Sequence, residues 1–286
     1  MNYRHAFHAG NHGDVLKHVV LVASCDALAR KPAPVLALDT HAGRGAYALD
    51  DAPAMHTGES GGGFAKLAAA RPDDPLLCRY LDLVRACRAE LGAEAYPGSP
   101  WLLARALREQ DRIACCELQA EEAAALKARF RDDPRVAVHQ RDGYAAIRAL
   151  LPPTVDGVRF GRGLVLVDPP YEAQLAEFDA ALRALREGLQ RWPQAGFALW
   201  YPVKQRRALA PFLRSARHLP ARSALLVELA VRAEDSPLRM NGSGMLLLNP
   251  PWQLDGTLAP ALAGLHAALA EPGAPPPRLE WLKDPL

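Results

Sequence analysis

Long apolar runs and an excess of charge of either sign are both missing from this sequence of 286 residues. No stretch approaches the roughly 18 consecutive apolar residues of a membrane-spanning helix, and the polar N-terminus has no apolar segment of signal-peptide length. We therefore expect no membrane association. Lys and Arg number 34 against 32 Asp and Glu, a net charge of +2. That balance excludes a uniformly basic surface for binding nucleic acid and leaves only local basic patches.

A cysteine framework is also missing. The five cysteines are odd in number, Cys115 and Cys116 are adjacent, and no CxxC motif occurs. This pattern argues against disulfides and a zinc site and fits a reducing cytoplasm. His8 and His12 are four residues apart, but no cysteine lies near them and their segment is not clearly helical, so we predict no metal site.

The order of apolar runs predicts an α/β fold. Short runs alternate with helical periodicity, and two late runs close the pattern; the runs are 35–38, 113–117, 136–139, 164–167, 197–201, 225–231 and 245–248. Such alternation is typical of a parallel, doubly wound, Rossmann-like sheet, with ligand at the carboxyl ends of its strands. The alternation of strand and helix patterns is interrupted at residues 48–98. We interpret them as an inserted helical subdomain, with 1–47 and 99–286 forming the main domain.

Acidic residues end four successive runs: Asp39, Glu117, Asp142 and Asp168. In a parallel sheet these positions share one edge. A single acid at such a position is more often a helix cap, but four in order favour a nucleoside-binding crevice. Glu117 would accept hydrogen bonds from ribose hydroxyls, and Asp142 with the amide of Gly143 would read an adenine edge.

The loop Gly43-x-Gly45-x-x-Ala48 matches the dinucleotide fingerprint. That fingerprint expects a ribose-binding acid about 20 residues further on. Glu117 lies 72 residues beyond Gly45, so an NAD site is disfavoured. Glycines in this loop still allow the backbone to approach a ligand closely.

The most specific motif is Asp168-Pro169-Pro170-Tyr171. Two prolines remove two backbone donors and leave carbonyl oxygens beside a carboxylate. Asp168 and the carbonyl of Pro169 can both accept from one exocyclic amino group, which aims the nitrogen lone pair at an electrophile. Tyr171 can stack on a base that has been pulled from its stack. The alternative is a turn at a helix start, with Asp as cap and Pro in the first turn.

Several motifs resemble those of the RlmJ family of 23S rRNA adenine-N6 methyltransferases. They run across nearly the whole chain: Tyr3-Arg-His-x-Phe-His-Ala-Gly-Asn-His12, Asp14-Val-Leu-Lys-His18, Asp39-Thr-His-Ala-Gly43, Tyr96-Pro-Gly-Ser-Pro100, Leu107-Arg-Glu-Gln110, Asp168-Pro-Pro-Tyr171, Leu199-Trp-Tyr-Pro202 and Asn249-Pro-Pro-Trp252. The resemblance implies a class I methyltransferase fold with a small helical insertion. It also implies S-adenosylmethionine as cofactor and 23S rRNA as partner. We expect a cytoplasmic monomer.

The resemblance also implies roles for individual residues. Those expected to bind the methyl donor are His18, His41, Gly43, Ser99, Glu117, Asp142, Gly143 and Asp168. Asp168 is the expected catalytic acceptor, beside Pro169 and Tyr171. Tyr3, His5 and Lys17 complete the expected active site. Arg44 departs from the family's small residue, and contact with the donor, with RNA or with solvent stays open.

Two segments and two other functions stay open as well. Residues 1–12 mix aromatic, imidazole and guanidinium groups, which suits either a lid over the target base or ordinary structural packing. The basic run Lys204-x-Arg206-Arg207 predicts a helix that is either an RNA patch or a solvated face. A DNA adenine-N6 methyltransferase would use the same pocket. A nucleic-acid-binding protein without catalysis, for instance in DNA uptake, is the alternative of another class.

Overall fold

The computed structural model describes residues 9–49, 63–171, 174–238 and 240–285. The predictions for Tyr3, His5 and the rest of 1–8 lie outside these ranges, as does the part of the insertion between 50 and 62. Within them the helices are α1 (His12–Ala29), α2 (Phe64–Ala70), α3 (Pro75–Leu91), α4 (Ser99–Ala106), α5 (Ala120–Arg129), α6 (Gly143–Leu150), α7 (Gln174–Arg191), α8 (Ala210–Arg217) and α9 (Leu254–Leu269).

The strands of the same ranges are mostly short. They are β1 (Leu36–Asp39), β2 (Ala46–Ala48), β3 (Ala95–Pro97), β4 (Arg112–Glu117), β5 (Val136–Gln140), β6 (Thr154–Val155), β7 (Val158–Arg159), β8 (Gly163–Val167), β9 (Gly196–Val203), β10 (Ala224–Ala230), β11 (Gly242–Leu248) and β12 (Arg278–Lys283). Each apolar run that predicted a strand of the main sheet contains one.

Eight strands form the central sheet, in the order β12-β10-β11-β9-β8-β1-β4-β5. The five from β9 to β5 are parallel, which confirms the predicted parallel α/β core. The pairs β9–β11, β11–β10 and β10–β12 are antiparallel, so the sheet is mostly parallel with an antiparallel far side. A short connection between β10 and β11 suffices because antiparallel neighbours need no crossover helix.

Alternate residues of each strand supply two hydrophobic clusters, one on each face of the sheet. Ala37 and Cys115 belong to the cluster that also contains the apolar side of α1 and α9. Leu38 and Cys116 belong to the other, with α6, α7 and α8. The adjacent cysteines therefore lie on opposite faces and are both fully buried thiols.

Part of the predicted insertion is described. β2 and β3 pair as an antiparallel ribbon at its two ends. Apolar residues of α2 and α3 join the core cluster of α1, and both helices contact α9. Division of the chain into a main domain and an inserted subdomain stays a prediction.

The N-terminal end of α1 is tied to the rest of the fold. Asn11 is the N-cap, and its side chain accepts from the amide of Asp14. The carbonyl of Gly10 accepts from the amide of Phe64 at 2.8 Å, and Ala9, Asn11 and His12 are buried. For residues 9–12 the structural alternative is therefore correct, and the rest of the predicted lid lies outside the described residues.

The prediction that a helix begins at Lys204 is wrong. Residues Arg206–Leu209 form a 3-10 turn, and α8 begins at Ala210. Arg206 is held by the buried carboxylate of Glu228 at 3.4 Å and by the carbonyl of Pro276 at 2.7 Å. These contacts draw Arg206 inward, whereas Lys204 and Arg207 stay exposed. Among the helices of the described ranges, none is long and apolar enough to span a bilayer.

Candidate active site

The predicted acids meet at the carboxyl edge of the parallel strands. Asp39 and Glu117 are the last residues of β1 and β4, Asp168 directly follows β8, and Asp142 lies two residues beyond β5. A cavity of about 370 Å³ lies at this edge, and Glu117, Asp142 and Asp168 line it. Asp39 is fully buried and is not part of its wall.

Two glycines allow the backbone to close around this cavity. Gly43 has a φ of +59°, and a Cβ there would lie 2.1 Å from the hydroxyl of Tyr47. At Gly143 a Cβ would lie 2.1 Å from the carbonyl oxygen of Thr40. Any side chain at Gly143 would push the start of α6 away from the end of β1. Both glycines line the cavity, so backbone forms part of its wall.

Glu117 is fixed by two backbone donors. Its carboxylate accepts from the amide of Gly43 at 2.9 Å and from the amide of Gln119 at 2.8 Å, one on each oxygen. Each oxygen keeps acceptor capacity for a ligand. Asp142 is the one acid of the four that acts as a helix N-cap, since it accepts from the amide of Ala145 at 2.7 Å.

Asp168 is paired with a buried lysine. The ammonium of Lys17 lies 2.6 Å from Asp168 Oδ2 and 2.7 Å from Asp14 Oδ1. The side chains of Lys17 and Asp14 are each 4% exposed and that of Asp168 is 12% exposed. Burial lowers the pKa of Lys17, but the two carboxylates outweigh it and hold that pKa well above the ordinary value. Lys17 is therefore a cation in this site.

Asp39 and His41 have strongly shifted pKa values in opposite senses. Burial raises the pKa of Asp39 to about 6, against a hydrogen bond from Ser99 that lowers it. Burial lowers the pKa of His41 to about 4, against the charges of Asp168 and Asp142. His41 is thus neutral at pH 7.

The hydrogen bonds of Thr40 indicate the tautomer of His41. The hydroxyl of Thr40 donates to the carbonyl of Leu166 at 2.9 Å. His41 Nδ1 lies 2.8 Å from the same hydroxyl oxygen. Because a hydroxyl has one proton to donate, Nδ1 carries the hydrogen of that contact. Nε2 of this cavity-lining ring is then an acceptor.

Only part of the Asp-Pro-Pro-Tyr motif lines the cavity. Asp168 and Pro170 line it, whereas Pro169 and Tyr171 do not. The hydroxyl of Tyr171 donates to the carbonyl of Trp200 at 2.8 Å, and its ring packs on Trp200 and Phe178. The structure therefore places Tyr171 beside the cavity, where other aromatic rings already contact it.

His18 is not brought to the cavity either. It is fully buried, with Nδ1 3.2 Å from the hydroxyl of Tyr96. That hydroxyl in turn lies 2.7 Å from the hydroxyl of Tyr80. The expectation that His18 contacts the methyl donor directly does not fit this position. The predicted residues that do line the cavity are Lys17, His41, Gly43, Ser99, Glu117, Asp142, Gly143 and Asp168.

Tyr144 and Glu177 also line the cavity, although neither was among the predicted site residues. The hydroxyl of Tyr144 donates to Glu177 at 2.6 Å, which links α6 to α7. Tyr144 directly follows the predicted Gly143, so its position was readable from the motif. Glu177 belongs to no motif. Arg44 also has a defined partner, because its guanidinium makes a bidentate pair with Glu122 at 2.7 and 2.8 Å.

The charge of the wall favours a cationic ligand. It contains five carboxylates and one ammonium: Glu117, Glu122, Asp142, Asp168, Glu177 and Lys17. Neutral His41 adds no positive charge. In the part of the chain that the structure describes, no group of three or more His, Cys, Asp or Glu side chains is placed to hold a metal ion.

Strand order, a ligand cavity at the carboxyl edge and an antiparallel far side together define a class I, S-adenosylmethionine-dependent methyltransferase fold. A family model described as "Ribosomal RNA large subunit methyltransferase D, RlmJ" matches residues 32–283. The chain belongs to this family, which confirms the resemblance seen in the motifs.

Individual relatives agree with the family match. Proteins of Escherichia coli K12 and Haemophilus influenzae, both named ribosomal RNA large subunit methyltransferase J, are 36% and 35% identical to the chain over 282 and 287 residues. In each case the match covers 99% of both sequences. The crystal structure of protein LPL1258 from Legionella pneumophila is 29% identical and superposes with a TM-score of 0.82, covering 96% of this chain and 98% of its own.

Proposed function

We propose that the protein transfers a methyl group from S-adenosylmethionine to N6 of an adenine in 23S rRNA. The observation that carries this proposal is the ion pair at the cavity edge between buried Lys17 and Asp168, the first residue of the Asp-Pro-Pro-Tyr motif. The names of the two curated relatives support ribosomal RNA as the substrate class. Such a substrate places the reaction in the cytoplasm, and we expect the protein to act as a monomer.

The cavity suits the methyl donor on three grounds. Its walls at Gly43 and Gly143 have no room for side chains, its charge is negative, and Glu117 is held rigidly with spare acceptor capacity. In this proposal Glu117 accepts from the ribose hydroxyls, and Asp142 with Gly143 binds the adenine. Ser99 and His41 complete the donor site. Bound S-adenosylmethionine supplies a methyl group on a positively charged sulfur, which is an activated electrophile.

Asp168 orients the target amine. The lone pair of an aromatic amine is delocalised into its ring, so the nitrogen needs both hydrogens held by acceptors to face the electrophile. In this proposal Asp168 supplies one acceptor. The carbonyl of Pro169, which lies in the chain between the cavity-lining residues Asp168 and Pro170, supplies the other. After transfer, Asp168 is the nearest group to receive the proton that the nitrogen releases. Because the electrophile is already activated, alignment supplies most of the acceleration.

Tyr3 and His5 belong to the proposed site but lie outside the described residues. In this proposal residues 1–8 form a lid, with Tyr3 and His5 against the flipped adenine. Tyr171 supports the site through its contacts with Trp200 and Phe178.

Radiolabelled methyl transfer to naked 23S rRNA and to DNA, assayed in parallel, tests the function. We expect label on rRNA only. Asp168→Ala should lower transfer by at least about 100-fold, the scale for a positioned catalytic group, and by far more than it changes donor affinity in calorimetry. Label on DNA alone favours a DNA methyltransferase. RNA binding without transfer favours a non-catalytic protein.

A further inference from the structure

Asp14 makes a contact with the catalytic centre that the proposed reaction does not yet use. It lies in the first turn of α1, three residues before Lys17, so both side chains project from one face of the helix. Asp14 Oδ1 is 2.7 Å from the Lys17 ammonium, and Oδ2 accepts from the amide of Gly10 at 3.1 Å. Both oxygens are therefore committed, and the carboxylate is held in one orientation.

Lys17 joins Asp14 to Asp168. Its ammonium has three hydrogens and donates to both carboxylates, with Nζ 2.6 Å from Asp168 Oδ2 and 2.7 Å from Asp14 Oδ1. If Asp168 were the sole partner, the lysine would cancel its charge and compete for its acceptor sites. With Asp14 present, the three groups together carry one net negative charge. The nearby carboxylate of Asp39 adds to this negative field.

We propose that Asp14 is a positioning residue for methyl transfer. By accepting one hydrogen bond from Lys17, it fixes the ammonium and leaves Asp168 with negative charge for the target amine. This inference rests on the proposed function. Positive charge grows on the amine nitrogen as the methyl group arrives, so the charge left on Asp168 matters most in the transition state. The effect of Asp14 should therefore appear in kcat rather than in donor binding.

Asp14→Asn tests this with little change of volume. We expect kcat to fall by about tenfold or more, the scale for loss of one charge-assisted contact, with the donor Kd within about threefold. The matched control is Asp26→Asn, which makes the same change in the same helix at a carboxylate that is 40% exposed and paired with Arg79 at 3.9 Å. It should leave kcat unchanged.

A double variant separates positioning from a structural role. Lys17→Met removes the group through which Asp14 acts, so adding Asp14→Asn to it should cause no further loss in single-turnover rate. Additive losses would overturn the proposal, as would a folded Asp14→Asn protein with kcat within about twofold of wild type. Failure of the proposed function looks different, because the wild-type protein would then transfer no methyl group.

A measurement on the wild-type protein covers the case in which Asp14→Asn does not fold. Lysine labelled with 15N gives an NMR signal for each ammonium. Lys17 is buried and paired with two carboxylates, so it should still be protonated above pH 10.5, the ordinary pKa of a lysine. Titration of Lys17 below that pH would contradict a cation shared by two carboxylates.

Discussion

At the scale of single residues, Glu117 is the most direct test of the donor site. Both of its oxygens are oriented by backbone amides, so its truncation removes a preorganised acceptor. A charged acceptor contributes about 1.5–3 kcal/mol, and Glu117→Ala should weaken S-adenosylmethionine binding at least about tenfold by calorimetry. Glu121→Ala is the control, since Glu121 is exposed on the following helix. Equal affinities for the wild type and both variants would show that Glu117 has no role in donor binding.

The shifted pKa values of His41 and Asp39 predict opposing effects of acid on stability. Unfolded histidine takes up a proton near pH 6.5 but His41 only near 4, so this group destabilises the fold as pH falls through that window, by up to about 3 kcal/mol. Asp39 takes up its proton near pH 6 when folded and near 3.8 when unfolded, so it stabilises the fold over a similar window.

His41→Gln removes the first effect and leaves the second. Urea unfolding should show the variant gaining about 2–3 kcal/mol relative to wild type between pH 7 and 4. Asp39→Asn should shift the difference the other way. Parallel stability profiles for the wild type and both variants would contradict the shifted pKa values of both groups.

At the scale of elements, the turn after β9 gives different surroundings to Arg206 and Arg207, which look equivalent in sequence. Arg206 and Arg278 both pair with Glu228, which is 1% exposed and also accepts from Tyr201 at 2.9 Å. Arg207 is exposed and donates to Gln205 at 3.2 Å. Arg206 therefore belongs to the core of this edge, and Arg207 is available to a ligand.

Substitution by alanine distinguishes the two. Arg206→Ala should lower the free energy of unfolding by about 1–3 kcal/mol because it leaves a buried carboxylate short of a partner. Arg207→Ala should leave stability unchanged. If the exposed run binds RNA, Arg207→Ala also lowers the slope of log affinity against log salt by about one. An unchanged slope would assign Arg207 to a solvated surface.

Elements that depend on local patterns were predictable, and pairings across the chain were not. The apolar runs of β1, β4, β5 and β8 predict strands, and an acid at or just after each strand end predicts a site, because parallel strands share an edge. Nothing in the sequence pairs Arg206 with Glu228 or Tyr144 with Glu177, since neither spacing repeats a helix or strand period. His18 lies in a family motif, and only the structure shows that it is buried against Tyr96 and is not part of the cavity wall.

At the scale of the whole molecule, the N-terminal segment divides into a structural part and a proposed lid. Removing residues 2–12 deletes the Asn11 cap and the Gly10 contact with Asp14. Loss of a cap costs about 1 kcal/mol, so this protein should melt several degrees lower. Removing residues 2–8 should leave the melting temperature and donor affinity nearly unchanged and abolish most turnover. Full turnover by the shorter deletion would eliminate the lid.

Methylation of N6 of an adenine in 23S rRNA leaves a product whose chemistry can be identified. Naked 23S rRNA is incubated with the protein and S-adenosylmethionine, digested to nucleosides and analysed by mass spectrometry, with fragment mapping of the modified position. We expect N6-methyladenosine at a single position, and none with the Asp168→Ala protein. Methyl groups on another base or on ribose, or N6-methyladenosine formed equally by the Asp168→Ala protein, would contradict the proposed function.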